Sequence, residues 1–237
     1  MLRTSDERTN LPRTAAVTRS ATAVLWDMDG TLADSEPLHQ RTLEAVLASL
    51  GVTPSADLFE STVGLAERDV HAYCVARYGL AIDAPDWIAF RNAAYGREAA
   101  TLQARPGALD VLSSLAALGV RQAVVSNSSR EVLDISLRAL QVQSMLTCTV
   151  SRTDVQRGKP DPEPYLTAAR LLGVDPDNAV VVEDSPLGAA SGVAAGMTVA
   201  AWPTPGLAIG PIGRHCHVVA SAAELSDFLL SAVQGAR

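Results

Sequence analysis

Short runs of apolar residues, each ending abruptly in polar or acidic side chains, recur along this chain. The first is Ala-Val-Leu-Trp at 23–26, which stops at Asp27. Residues 120–125 run into Ser126-Asn127-Ser128, residues 179–182 into Glu183-Asp184-Ser185, and residues 198–201 into a Pro- and Gly-bearing loop at 203–213. A weaker run at 146–150 leads to Ser151. Continuous apolar runs of this length, bounded by turn residues, predict strands buried on both faces. Between them the apolar spacing becomes helical. Leu109, Leu112, Leu115 and Leu118 share one face of a predicted helix at 108–118 that Gly119 stops. Further helices are predicted at 130–140, at 164–172 before Gly173, and at 187–195 before Gly196. Strands alternating with helices predict an α/β fold: a Rossmann-like parallel sheet with helices on both faces.

The stretch 35–105 interrupts that alternation. Its pattern is helical at 38–50, 67–78 and 86–102, the first two stopped by Gly51 and Gly79, and no strand-like run intervenes. Such a block placed just after the first strand predicts an inserted helical cap over the ligand crevice, with hinges near 33–37 and 104–107. The expected organisation is an extension at 1–20, a catalytic core at 21–34 and 106–237, and a cap at 35–105. Residues 1–20 show neither period 2 nor period 3.6 and are expected to be disordered. Asp6 and Glu7 there argue against a transit peptide.

Composition narrows the function. The 237 residues carry a net charge of −7 with scattered arginines, which argues against a nucleic-acid partner. No apolar run is long enough to span a bilayer. Three dispersed cysteines without a CxxC read as reduced thiols, so a cytoplasmic protein is expected. A monomer or weak homodimer is expected.

In a parallel sheet, polar residues at the carboxyl ends of strands line the crevice. That places Asp27, Ser126 and Asp184 together. Asp27 and Asp29 bring two like charges to one strand end, which requires a bound cation or a shared proton. The donor inventory there is hard oxygen, which suits a cation such as Mg2+. Glu183 and Asp184 add carboxylates, although alone the pair reads equally as a helix start. Lys159, within Gly158-Lys159-Pro160-Asp161-Pro162, is the only lysine in the sequence. A compact ammonium between carboxylate and phosphate is a reason to depart from arginine. Ser126-Asn127-Ser128-Ser129 offers hydroxyls and a helix start to an anion, and is also an ordinary helix cap. His215-Cys216-His217 looks like a ligand set, but adjacent strand positions face opposite ways. His39 and His71, on cap helices, are expected to be solvated.

Asp27-Met-Asp-Gly-Thr-Leu, Gly-Lys159-Pro-Asp-Pro-Glu-Pro-Tyr and Val-Val-Glu183-Asp184-Ser-Pro-Leu-Gly-Ala-Ala, in this order, resemble the haloacid dehalogenase superfamily of aspartate-nucleophile phosphotransferases. The closest likeness is to the helical-cap subgroup of β-phosphoglucomutase-like enzymes and sugar-phosphate phosphatases, from about residue 23 onward. The resemblance implies that Asp27 attacks phosphorus and that Asp29 is general acid and then base. It implies that Ser126 binds the transferring phosphoryl group, Lys159 neutralises charge, and Asn127 contributes to substrate binding. Mg2+ would rest on Asp27, the backbone carbonyl of Asp29, and Asp184, with Glu183 supporting it directly or through water. Arg68, in the cap segment 63–68 that resembles a specificity loop, would grip the substrate. Asp29 argues against a dehalogenase, and a cap without lysine argues against a phosphonate hydrolase. The expected activity is release of phosphate from a small phosphorylated metabolite, a sugar or polyol phosphate, the alternative being a phosphomutase. A non-catalytic binding protein on the same fold would be expected to lack the nucleophile or the acid.

Overall fold

The structure, a computed structural model, describes residues 21–62, 65–204, 209–210 and 212–235. The extension expected at 1–20, and Val63 and Gly64 of the cap loop, lie outside the described residues. Six parallel strands form the sheet: β1 (Ala23–Trp26), β4 (Arg121–Val125), β5 (Cys148–Val150), β6 (Ala179–Glu183), β7 (Thr198–Ala201) and β8 (Cys216–Val218), in the order β5-β4-β1-β6-β7-β8. The remaining strands, β2 (Ala33–Asp34) and β3 (Gln103–Ala104), pair antiparallel. They flank the helical block: β3 lies within the stretch 35–105, expected to hold no strand, and β2 just before it. Two residues per strand are too few to show an alternation.

The sheet explains its own sequence. Along β1, Val24 and Trp26 enter one core, with helices α5 (Ala108–Ala117), α6 (Arg130–Leu140) and α9 (Ala222–Gln234). Ala23 and Leu25 enter the other, against α7 (Glu163–Leu172) and α8 (Pro186–Ala194). Both faces are covered, so the strand reads as an unbroken apolar run instead of an alternating one. Gln122, a fully buried polar residue of β4, is satisfied: Trp26 Nε1 donates to its Oε1 at 3.0 Å and its Nε2 donates to Leu112 O at 3.0 Å.

The block after β2 holds α1 (Glu36–Ser49), α2 (Leu58–Thr62), α3 (Glu67–Tyr78) and α4 (Ala84–Glu98). Leu43, Val46, Leu47, Leu58, Val70, Cys74, Trp87 and Ala94 give it a core of its own. It is also tied to the sheet domain. Tyr95 of α4 shares a hydrogen bond with Ser136 of α6 at 2.9 Å, and Asn92 Nδ2 donates to Glu131 Oε2 at 2.9 Å. No helix among the described residues is long and apolar enough to cross a membrane.

Candidate active site

Register brings the strand ends level. Trp26 is opposite Val124 and Val182, so Asp27, Ser126 and the Glu183-Asp184 pair emerge at one edge. After Asp27 the chain turns on itself: Leu32 and Ala33 both donate backbone N–H to Met28 O. Gly30 lies in this turn at φ 80°, where an added Cβ would sit 2.1 Å from Asp184 Oδ2. Only glycine allows both that backbone conformation and that approach.

Lys159 organises the centre. Its Nζ donates to Asp27 Oδ1 at 2.5 Å, Glu183 Oε1 at 2.6 Å and Val125 O at 2.8 Å, spending all three of its protons. It is 8% exposed and Asp27 7%. Burial alone would lower the Lys159 pKa, but the charges of Asp27 and Glu183 raise it, so it stays protonated. Glu183 is fully engaged. Its Oε1 also accepts from Tyr165 Oη at 2.8 Å, and its Oε2 accepts from the backbone and hydroxyl of Ser185 at 3.3 and 3.0 Å.

Asp27 Oδ2, by contrast, is buried without a hydrogen-bond partner among the described residues. An unpaired buried carboxylate oxygen costs free energy, and a site that keeps one has a use for it. Burial, and next the charge of Glu183, push the Asp27 pKa well up despite Lys159. The same two causes lift Asp184 to about 7, tempered by Lys159 and Arg105. Oxygens of Asp27, Glu183 and Asp184 lie within 4.8 Å of one another. These are hard donors, one of them orphaned, and the set fits a divalent cation.

Asp29 is placed differently. Its carboxylate accepts from Ser35 Oγ at 2.8 Å, Ser126 Oγ at 3.2 Å and Ser128 Oγ at 2.8 Å, with His39 Nε2 at 3.3 Å. Burial would raise its pKa, but His39 by hydrogen bond and charge, then Ser35 and Ser128, hold it well below the usual carboxylate range. The side chain therefore faces the hydroxyls and stands outside the carboxylate cluster among the described residues.

The expectation that His39 and His71 are solvated needs revising. His39 is not simply solvated: it meets Asp29 and its ring lies 4.8 Å from that of Tyr95. His71 is engaged too, Nε2 lying 2.9 Å from Ile82 O beside the Trp87 ring. Asn127 clamps the backbone of Lys159, accepting from its N–H at 2.9 Å and donating to its carbonyl at 3.2 Å. Arg68 is exposed, with no ion pair among the described residues. Its neighbour Glu67 turns inward instead, accepting from Trp87 Nε1 at 2.8 Å and from Arg91 Nε at 3.1 Å. Arg91, 6% exposed, also donates to His39 O and Thr42 Oγ1. His217 packs on Phe228, away from any ligand set among the described residues. Ser35 and His39, four apart on one face at the start of α1, are the readable signal for Asp29's partners.

Residues 24–202 match the model of the family described as haloacid dehalogenase-like hydrolase. The chain is 32% identical to validoxylamine A 7'-phosphate phosphatase of Streptomyces hygroscopicus subsp. limoneus, over 73% of this chain and 81% of that protein. It is likewise 32% identical to hexitol phosphatase A of Escherichia coli, over 76% and 82%. Among solved structures it resembles a HAD family hydrolase from Deinococcus radiodurans with bound phosphate and sodium. That match has 31% identity and a TM-score of 0.69, covering 90% of this chain and 96% of that one.

Proposed function

Because the chain belongs to the haloacid dehalogenase-like hydrolase family, we propose that it is a Mg2+-dependent phosphatase for a small phosphorylated metabolite, a sugar or polyol phosphate. The observation that carries this reading is Asp27: one oxygen held by Lys159 and the other buried without a partner among the described residues. In the proposed reaction Oδ2 forms a bond to phosphorus as the ester P–O bond breaks, leaving an aspartyl-phosphate. The departing oxygen takes a proton from Asp29. Asp29 then removes a proton from water, whose oxygen attacks phosphorus, releasing phosphate and restoring Asp27.

The donors around Asp29 suit that double role. His39, and after it the Ser35 and Ser128 hydroxyls, hold Asp29 ionised. A phosphoryl group that takes over the Ser128 hydroxyl removes part of what depresses its pKa, and the carboxyl then carries a proton more readily. Lys159 fixes Asp27 and offsets charge in the transition state, while Asn127 holds the Lys159 backbone. Asp27 and Asp184 would hold Mg2+, with the saturated Glu183 shaping the site from behind. A bound Mg2+ supplies positive charge that offsets phosphoryl repulsion. The names of the two relatives, phosphatases of a hexitol and of validoxylamine A 7'-phosphate, support a polyhydroxylated substrate.

The test is phosphate release from a panel of sugar and polyol phosphates, with Mg2+ or chelator, for the unmutated chain and Asp27→Asn. Chelator-sensitive release that Asp27→Asn abolishes is expected. Full activity in Asp27→Asn would refute the mechanism. Conversion of β-glucose 1-phosphate to glucose 6-phosphate with little free phosphate would make the enzyme a mutase.

A further inference from the structure

Arg105 stands outside the chemistry described so far, at the point where β3 returns the cap to the core. Its backbone N–H donates to Leu32 O at 2.9 Å, within the turn that follows Asp27. Its guanidinium gathers three backbone carbonyls: Nη1 donates to Gly30 O at 2.8 Å and Trp202 O at 2.6 Å, and Nη2 to Pro203 O at 2.8 Å. Its planar head stacks 3.6 Å from the centre of the Trp202 ring. A rigid fork of donors on an aromatic face is something arginine provides and lysine does not.

The segments tied together are the two that enclose Asp184. From one side comes the Gly30 turn, pressed so closely on Asp184 that no Cβ fits, with Thr31 Oγ1 donating to Oδ1 at 3.4 Å. From the other comes the segment after β7, where Trp202 N–H donates to Glu183 O at 2.6 Å and Thr204 Oγ1 lies 3.5 Å from Asp184 Oδ2. Arg105 is their shared anchor, and it belongs to the hinge.

We propose that Arg105 is a positioning residue for the cation pocket. It holds the Gly30 turn and the Trp202–Thr204 segment at the spacing Asp184 requires, and thereby couples that pocket to the cap hinge. This rests on the cation reading of the site but not on the identity of the substrate. Partners that orient a metal ligand typically change metal affinity about 10- to 100-fold when removed. Coupling between pocket and hinge is reciprocal, so cation binding must steady the hinge as the hinge steadies the pocket.

The experiment is calorimetric titration of Mg2+ into the unmutated chain, Arg105→Lys and Arg105→Gln, with cooperative melting in chelator as the check on folding. Arg105→Lys keeps the charge but loses the fork and the stack, so both variants should bind Mg2+ at least tenfold more weakly. Hydrogen exchange on the unmutated chain supplies a second readout: Mg2+ should slow exchange at 103–107 and 202–204 as well as at 27–31. Folded variants with unchanged Mg2+ affinity and only a lower melting temperature would reduce Arg105 to a structural clamp and overturn the proposal. Should the variants not fold, protection confined to 27–31 and 183–184 would overturn it equally. No Mg2+ uptake by the unmutated chain would refute the cation reading itself and this inference with it.

Discussion

Lys159 shows what a single residue is asked to do here. Two carboxylates, Asp27 and Glu183, meet its ammonium with all three side chains largely buried. Removing one partner of a buried ion pair leaves charge without compensation, which costs about 3–5 kcal/mol. Lys159→Met should therefore lower the unfolding free energy by roughly that amount at neutral pH, read from urea denaturation. Arg at this position retains the charge, but its fork cannot place three protons on Asp27, Glu183 and Val125 O at once. Lys159→Arg should fold yet lose about a hundredfold or more in turnover, the scale on which a misplaced electrostatic group costs an enzyme. Turnover near the unmutated rate would mean that charge alone, without geometry, is what the site needs. The need for a lysine is legible in the sequence, because it is the only one. His39 is legible only in part: its spacing from Ser35 shows a shared helix face, but its contact with Asp29 depends on how α1 folds back over the strand end.

Elements explain why side chains that are distant in sequence hold such tight tolerances. Helix α8 is capped by Ser185, whose hydroxyl accepts from Gly188 N–H at 3.1 Å and donates to Glu183 Oε2. The first turn of α8 therefore rests on the carboxylate that Lys159 and Tyr165 hold from the other side. A Cβ on Gly188 would lie 1.7 Å from Glu183 Oε1, so Gly188→Ala must push the helix or the carboxylate away. Overpacking of this kind costs about 1–3 kcal/mol, and here it should also lower turnover by displacing Lys159. A Gly188→Ala protein with unmutated stability and turnover would show that the helix start moves freely over the site. At this scale the sequence is readable where burial is two-sided. Strands β1, β4 and β6 appear as apolar runs ending in the site's polar groups, and β7 as a run ending in a loop. Strands β2 and β3 do not, because two residues carry no period, and β8 lies at the sheet edge with two half-buried positions and one exposed. Helix α9 holds a legible i, i+4, i+7 pattern in Leu225, Leu229 and Ala232, which a reading led by strands and their terminal carboxylates passes over.

For the whole molecule, the acidic cluster links stability to pH and to cation binding. Burial and Glu183 lift Asp184 from its ordinary 3.8 to about 7, and Asp27 moves the same way. Between those two values the folded chain retains a proton that the unfolded chain has released, so stability falls as pH rises through that window. Asp29 shifts in the opposite sense. Its contribution is fully present above the ordinary carboxylate pKa and lost only as pH falls below it, so it adds no slope between pH 5 and 8. Lys159, with a raised pKa, contributes stability that is lost only in strong alkali. In chelator the melting temperature should accordingly decline from pH 5 to 8. A cation needs the carboxylates deprotonated, so it competes with the same protons and gains affinity over the same range. At a concentration 100 times its Kd a ligand stabilises the fold by about 2.7 kcal/mol, which for a chain of this size is roughly 5–10 °C. At one fixed Mg2+ concentration the upward shift should therefore be clearly larger at pH 8 than at pH 5.5, offsetting the decline seen in chelator. Thermal melts at the two pH values, with Mg2+ and with chelator, decide the matter. Equal Mg2+ shifts at both would mean that the cation does not displace protons from Asp27 and Asp184, and would remove these carboxylates from its binding site.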